Sequence, residues 1–187
     1  MNSIDLTKLL NKFNSKEGYK VNIGSGFYIQ EGYIGIDNCV GFSAQIPENG
    51  RYPDIIMDLN LKWPFENNTC KEIYSSHSFE HFTNIDHILK EAARVLKLGN
   101  YFKIIVPYAN SAEGMYPGHN IFFTEKWFYN NITVNSLFEI DFVQFKQTDE
   151  FKEIPDNHPI KQSFPFDFAR KFLFNVCNEM EIHLKKK

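Results

Sequence analysis

Apolar residues recur along this chain at two spacings, and the switches between them mark out its elements. The clearest block runs from residue 54 to 108. Asp54-Ile-Ile-Met-Asp58 and Ile73-Tyr-Ser-Ser76 are short β-branched or aromatic runs of strand type. Ile85, Ile88, Leu89, Ala92, Ala93, Val95 and Leu96 then fall at steps of three and four, which predicts a helix over 85–97 with Gly99 as its stop. Tyr101 to Pro107 is the next strand. Upstream, Ile4, Leu6, Leu9, Leu10 and Phe13 share one helical face, so a leading helix is predicted over 4–13. Lys20-Val-Asn-Ile23 is the first strand, and Gly32-Tyr-Ile-Gly-Ile36 is the second. Downstream, Thr124 is placed to cap a short helix to Asn131, with Trp127 and Phe128 inward. Phe138 to Phe145 alternates as a half-buried strand does. The segment 149–165 carries three prolines and little period, the mark of an insertion or lid. A helix over 166–177 and a last strand over 181–184 complete the pattern.

Strands alternating with a helix imply an α/β fold on a mainly parallel sheet, where ligands sit at the carboxyl ends of the strands. Candidate chemistry collects at those ends. Gly24-Ser25-Gly26 follows the first strand, and a glycine pair there lets backbone approach a ligand closely. Asp37 ends the second strand, well placed to accept both hydroxyls of a ribose. Asp58 ends the third, and Ser75-Ser76-His77 the fourth. Asp37 follows Gly24 by 13 positions, where a dinucleotide fold expects ~20. The stretch 27–31 is too short for a crossover helix, although parallel connections usually need a dozen or more residues. Taken alone, the glycine pair fits a tight turn equally well.

Composition narrows the class. The chain has 187 residues, 43% of them hydrophobic and 23% charged, enough for one globular domain. A net charge of −3 gives no footprint for nucleic acid, and Lys185-Lys-Lys187 reads as a solvated end. Cys39, Cys70 and Cys177 are widely spaced, so neither a disulfide framework nor a zinc knuckle is expected. No apolar run approaches the ~20 residues of a membrane span, and the first residues lack a signal-peptide core. A cytoplasmic protein with no membrane partner is the expectation.

Five segments in order carry a resemblance: Asn22-Ile-Gly-Ser-Gly26, Gly32-Tyr-Ile-Gly-Ile-Asp37, Asp58-Leu-Asn-Leu-Lys-Trp-Pro-Phe65, Tyr74-Ser-Ser-His-Ser-Phe-Glu-His81 and Arg94-Val-Leu-Lys-Leu-Gly99. Over 21–123 the chain resembles class I S-adenosylmethionine-dependent methyltransferases, of the methyltransferase type 11 group. The resemblance implies a Rossmann-like fold with an antiparallel last strand and, here, a shortened first crossover. Such short crossovers mark a subgroup often associated with sugar and glycan synthesis. It further implies S-adenosyl-L-methionine as cofactor. Gly24, Ser25 and Gly26 would lie at its amino-acid end, Asp37 at its ribose, Asp58 with the Leu59 amide at its adenine, and Ser76 and His77 beside its sulfonium. The acceptor would be a small polar metabolite, methylated on oxygen or nitrogen. The first motif departs from the family in carrying Phe27-Tyr28 where a third glycine is usual. A narrowed site, and so a relative that binds cofactor or partner without turnover, is the competing expectation.

A nicotinamide-dependent oxidoreductase would share the glycine turn and ribose acid but leaves Asp58 and Ser75-Ser76-His77 without purpose. His77-Ser-Phe-Glu-His81 also fits H-x-x-E-H. The two histidines flank a strand exit rather than one helical face, so no metal is expected. For proton transfer His119 is the first candidate, in the loop beyond Pro107, and His77 the second. The phenylalanine-rich stretch 164–174 reads as core, or otherwise as acceptor pocket or homodimer seam.

Overall fold

The computed structural model describes residues 6–13, 16–40 and 45–187. Helix α1 (Leu6–Phe13) precedes strands β1 (Tyr19–Ile23), β2 (Ile34–Asp37), β3 (Ile55–Ile56) and β4 (Cys70–Ser76). Helix α2 (Ile85–Val95) runs into β5 (Leu96–Pro107), followed by α3 (Glu125–Asn130), α4 (Ile132–Leu137) and β6 (Phe138–Gln147). Three short helices, α5 (Asp149–Glu153), α6 (Pro159–Ser163) and α7 (Phe166–Phe172), lead to β7 (Cys177–Lys186). The strands form one seven-stranded sheet in the order β3-β2-β1-β4-β5-β7-β6. Strand β7 runs antiparallel to both neighbours, and the other pairings are parallel. Among the described residues no helix is long and apolar enough to cross a membrane.

The sheet is buried along its middle: Val21, Ile23, Ile34, Ile36, Ile73, Phe102, Ile104, Val106, Ile182 and Leu184 have no exposed surface. Helix α2 lays Ile88, Leu89 and Ala92 on it, and burying each of the two larger side chains contributes about 1.5–3 kcal/mol. Asn84 starts the helix by accepting the His87 N–H. At its far end Arg94 donates to the Trp63 and Phe65 carbonyls, while Glu91 accepts the Trp63 N–H at 2.7 Å. Burial pushes the Glu91 carboxyl up, but the Arg94 guanidinium outweighs it and holds the acid below its usual range. One ion pair thus pins the loop that follows Asp58.

The connection 24–33 between β1 and β2 contains no helix. It is closed by side chains instead. Asn22 accepts the Gln30 N–H at 3.3 Å, and Ile29 packs over Gly35, where an added Cβ would come within 2.5 Å. Gly35 is therefore a packing requirement.

Several elements differ from the sequence pattern. Ile4 lies outside the described residues; the leading helix covers Leu6–Phe13. Helix α2 ends at Val95 and β5 begins at once, with Gly99 in a bulge between the Cys70–Leu96 and Glu72–Tyr101 pairs. Strand β3 has only two residues, because Asp54 is drawn into a side-chain bond to the Gly35 N–H and an ion pair with Arg51. Thr124 precedes α3 but makes no side-chain cap. Helix α7 stops at Phe172, and residues from Cys177 on are strand. The phenylalanine-rich stretch is core only in part: Phe164 and Phe166 pack against a small buried cluster of Phe151, Ala169 and Val176, whereas Phe168, Phe172 and Phe174 are exposed. Arg170 takes the inward place, pairing with Glu125 at 2.8 Å and lying 3.6 Å from the Phe145 ring centre.

Candidate active site

Gly24 and Gly26 both adopt left-handed backbone, with φ of +57° and +54°. They need glycine for different reasons. A Cβ on Gly24 would stand 2.4 Å from Ser78 Cβ, so the turn and the β4 exit interlock. A Cβ on Gly26 would meet nothing within 4 Å; it would project into open space. Asp37 clamps this turn: Oδ2 accepts the Gly26 N–H at 2.9 Å and Oδ1 accepts the Cys39 N–H at 2.8 Å. Each oxygen keeps a lone pair for a further donor. Asp58 Oδ1 accepts both the backbone and side-chain N–H of Asn60, and Leu59 beside it is buried.

At the β4 exit His77 also adopts left-handed backbone, φ +47°, unusual for a residue with a side chain. The chain turns there into a single 3-10 helix, Phe79–His81. Its Nε2 lies 2.9 Å from Glu179 Oε2 on β7, across the sheet end. That bond raises the His77 pKa and, from the other side, pulls the Glu179 carboxyl down to about 2. Ser75 and Ser78 share a 2.7 Å hydroxyl contact beneath the turn. The loop after β5 folds back on it: Asn120 and Ile121 donate backbone N–H to the Glu80 carbonyl, and Asn120 Nδ2 donates to that of His81.

A cavity of about 660 Å³ opens between these ends, lined by Gly24, Gly26, Asp37, Asp58, Leu59 and His77 among others. Sequence reasoning missed Met57, Ser78, His81 and Phe82 in its wall. The E-H of H-x-x-E-H was the available signal for His81. Ser25 and Ser76 line a smaller cavity of about 380 Å³ on the other side of the glycine turn, with Tyr28. Phe27 lines neither; it is buried against Tyr52, ring centres 5.5 Å apart, so it does not narrow the site. His119 stands one layer back, its ring 4.9 Å from that of His81 and its side chain 5% exposed. Nothing in 149–165 reaches the larger cavity.

The family model described as a methyltransferase domain matches residues 23–104, the stretch that holds every lining residue of the large cavity. Over those residues the chain matches the methyltransferase family. S-adenosylmethionine is the methyl donor of that family, and so of this enzyme. A methyltransferase from Archaeoglobus fulgidus, titled S-adenosylmethionine-dependent, superposes with TM-score 0.65 at 13% identity, over 97% of this chain and 91% of that one. Another so titled, from Mesorhizobium loti, gives 0.54 at 15%, over 95% and 96%. A cyclase shares the fold at TM-score 0.57 and 17% identity, over 97% and 79%, so architecture alone does not carry the chemistry. No curated protein sequence matches the chain significantly.

The donor fits the methyltransferase's cavity. The volume lies within the 300–1,000 Å³ usual for ligand sites, and the open space at Gly26 is what a ligand backbone contact requires.

The His77–Glu179 contact makes the methyltransferase's stability depend on pH. Glu179, with its folded pKa depressed, contributes above the ordinary 4.5 and loses its contribution as pH falls toward 2. His77, with its folded pKa raised, contributes below 6.5 and loses its share as pH rises through the folded value. Glu179→Gln is therefore expected to lower the melting temperature most between pH 4.5 and 6.5 and less at pH 9. A deficit that is flat across this range would refute the pairing.

Proposed function

We propose that the enzyme methylates an oxygen or nitrogen of a small polar metabolite, with donor and acceptor meeting beside His77. The observation that carries this reading is the convergence of Gly26, Asp37, Asp58 and His77 from four successive strand ends on one cavity. Bound S-adenosylmethionine supplies an electrophilic methyl on a positively charged sulfur. The residues present suit each part of it. Asp37, fixed by two amides, accepts from ribose hydroxyls. Asp58 and the Leu59 amide offer an acceptor and a donor to the adenine edge. The bare backbone at Gly24 and Gly26 admits the amino-acid end. His77 is the group placed to take the acceptor's proton: donation from Nε2–H to Glu179 leaves Nδ1 basic and strengthens it as a base. In-line placement supplies the rest.

Calorimetry is expected to show S-adenosylmethionine or its demethylated product binding in the micromolar range, on the order of −8 kcal/mol. NAD should not compete. Tight NAD binding without response to the sulfonium compound would overturn the reading.

A further inference from the structure

Glu80 carries a buried carboxylate that the fold leaves half-satisfied. The residue is 1% exposed, and Oε2 is the one buried side-chain oxygen or nitrogen without a hydrogen-bond partner among the described residues. Three imidazoles face the other oxygen. Oε1 lies 3.9 Å from His81 Nε2, 3.9 Å from His119 Nε2 and 4.0 Å from His77 Nδ1, all too far for hydrogen bonds. Two of the rings are already oriented by backbone. His81 Nδ1 donates to the Gly118 carbonyl and His119 Nδ1 to that of Gly114, each at 3.1 Å. Their Nε2 atoms are left with lone pairs turned toward a carboxylate. Lone pairs facing a buried, half-satisfied carboxylate are costly unless a cation stands between them.

We propose that Glu80, His81 and His119 form a site for one divalent transition-metal cation in the wall of the cofactor cavity. Their ligand atoms lie within 4.8 Å of one another, and metal bonds of about 2.1 Å hold neighbouring ligand atoms ~3–4 Å apart, so small side-chain shifts close the site. Two imidazoles and one carboxylate suit zinc and its neighbours, whereas magnesium and calcium favour oxygen ligands alone. The Gly114 and Gly118 carbonyls serve as the outer partners that hold ligating histidines. His77, committed to Glu179, stands outside the set. His81 lines the cavity while Glu80 and His119 lie behind it, so the cation's open positions face the acceptor space. A hydroxyl held there would give its proton to the neighbouring His77 imidazole and present a metal-bound alkoxide near neutral pH. That role rests on the methyl-transfer reading and narrows the acceptor to an oxygen nucleophile; the binding itself does not.

The test is calorimetric titration of the chelator-stripped full chain with Zn²⁺, followed on the same sample by titration with S-adenosylmethionine. One equivalent of Zn²⁺ is expected to bind, weakened at least about 100-fold by Glu80→Gln and by His119→Ala, with His158→Ala, on the exposed surface, unchanged. Glu80→Gln keeps the side-chain shape, and retained S-adenosylmethionine binding shows that it folds. Zn²⁺ binding that survives Glu80→Gln, or that His158→Ala removes, would mean surface histidines only and overturn the site. Zn²⁺ binding as expected with no response to S-adenosylmethionine would keep the site and sink the methyl-transfer reading.

Discussion

Asp37→Ala is expected to weaken S-adenosylmethionine binding by about 2–3 kcal/mol, roughly 30- to 150-fold. The carboxylate has two duties, and alanine performs neither. It would accept the ribose hydroxyls, bonds strengthened by its charge. It already accepts the Gly26 and Cys39 amides, so its loss frees the glycine turn as well. Asp58→Ala should cost less, about 1–2 kcal/mol, because that side chain is exposed and only organises Asn60 locally. Calorimetry on both variants, with melting curves to check folding, measures the contrast. Parent-like affinity in both would mean that the donor does not lie across these strand ends.

The largest stability effect is expected from Phe79→Ala, about 3–5 kcal/mol. Phe79 has no exposed surface, and five rings surround it: Phe82, Phe102, Phe123, Trp127 and Phe128, with centres 5.7–6.5 Å away. Those rings come from the exit of the 3-10 helix, β5, the returning loop and α3, so truncation leaves a cavity that no single element can collapse to fill. Phe142→Ala, on a strand position 40% exposed, should cost under about 1 kcal/mol. Urea denaturation of the two variants decides. A cost near that of Phe142→Ala would show that the cluster repacks around the gap. Because Phe79 lies between His77 and His81, the variant should lose cofactor affinity as well.

What was legible in the sequence is what depends on neighbours along the chain. Helix α2 announces itself because six apolar residues share a face, and the strand ends are located because Gly24, Asp37 and Ser75-Ser76-His77 directly follow apolar runs. Helix α4 gave no such signal: its β-branched Ile132 is exposed while Val134 alone is buried. The outward phenylalanines of α7 follow from Arg170, whose burial depends on Glu125, 45 residues away. The same limit hid the Glu80 cluster. H-x-x-E-H suggests His77 as partner of His81, but His77 turns to Glu179, and His119 takes its place through a loop that no local pattern folds back.

The helix-free connection between β1 and β2 bears on which nucleotides this site can refuse. A glycine turn that opens onto a helix offers the positive end of the macrodipole, which is what holds a pyrophosphate. Here the turn leads into irregular chain, and its Gly26 amide is already given to the Asp37 carboxylate. A doubly charged pyrophosphate brought to that turn would find no dipole and a fixed negative charge beside it. A sulfonium nucleoside carries no phosphate and loses nothing by the missing helix. Discrimination against dinucleotides is in this way built into ten residues of backbone, 24–33, ahead of any side chain that touches the ligand.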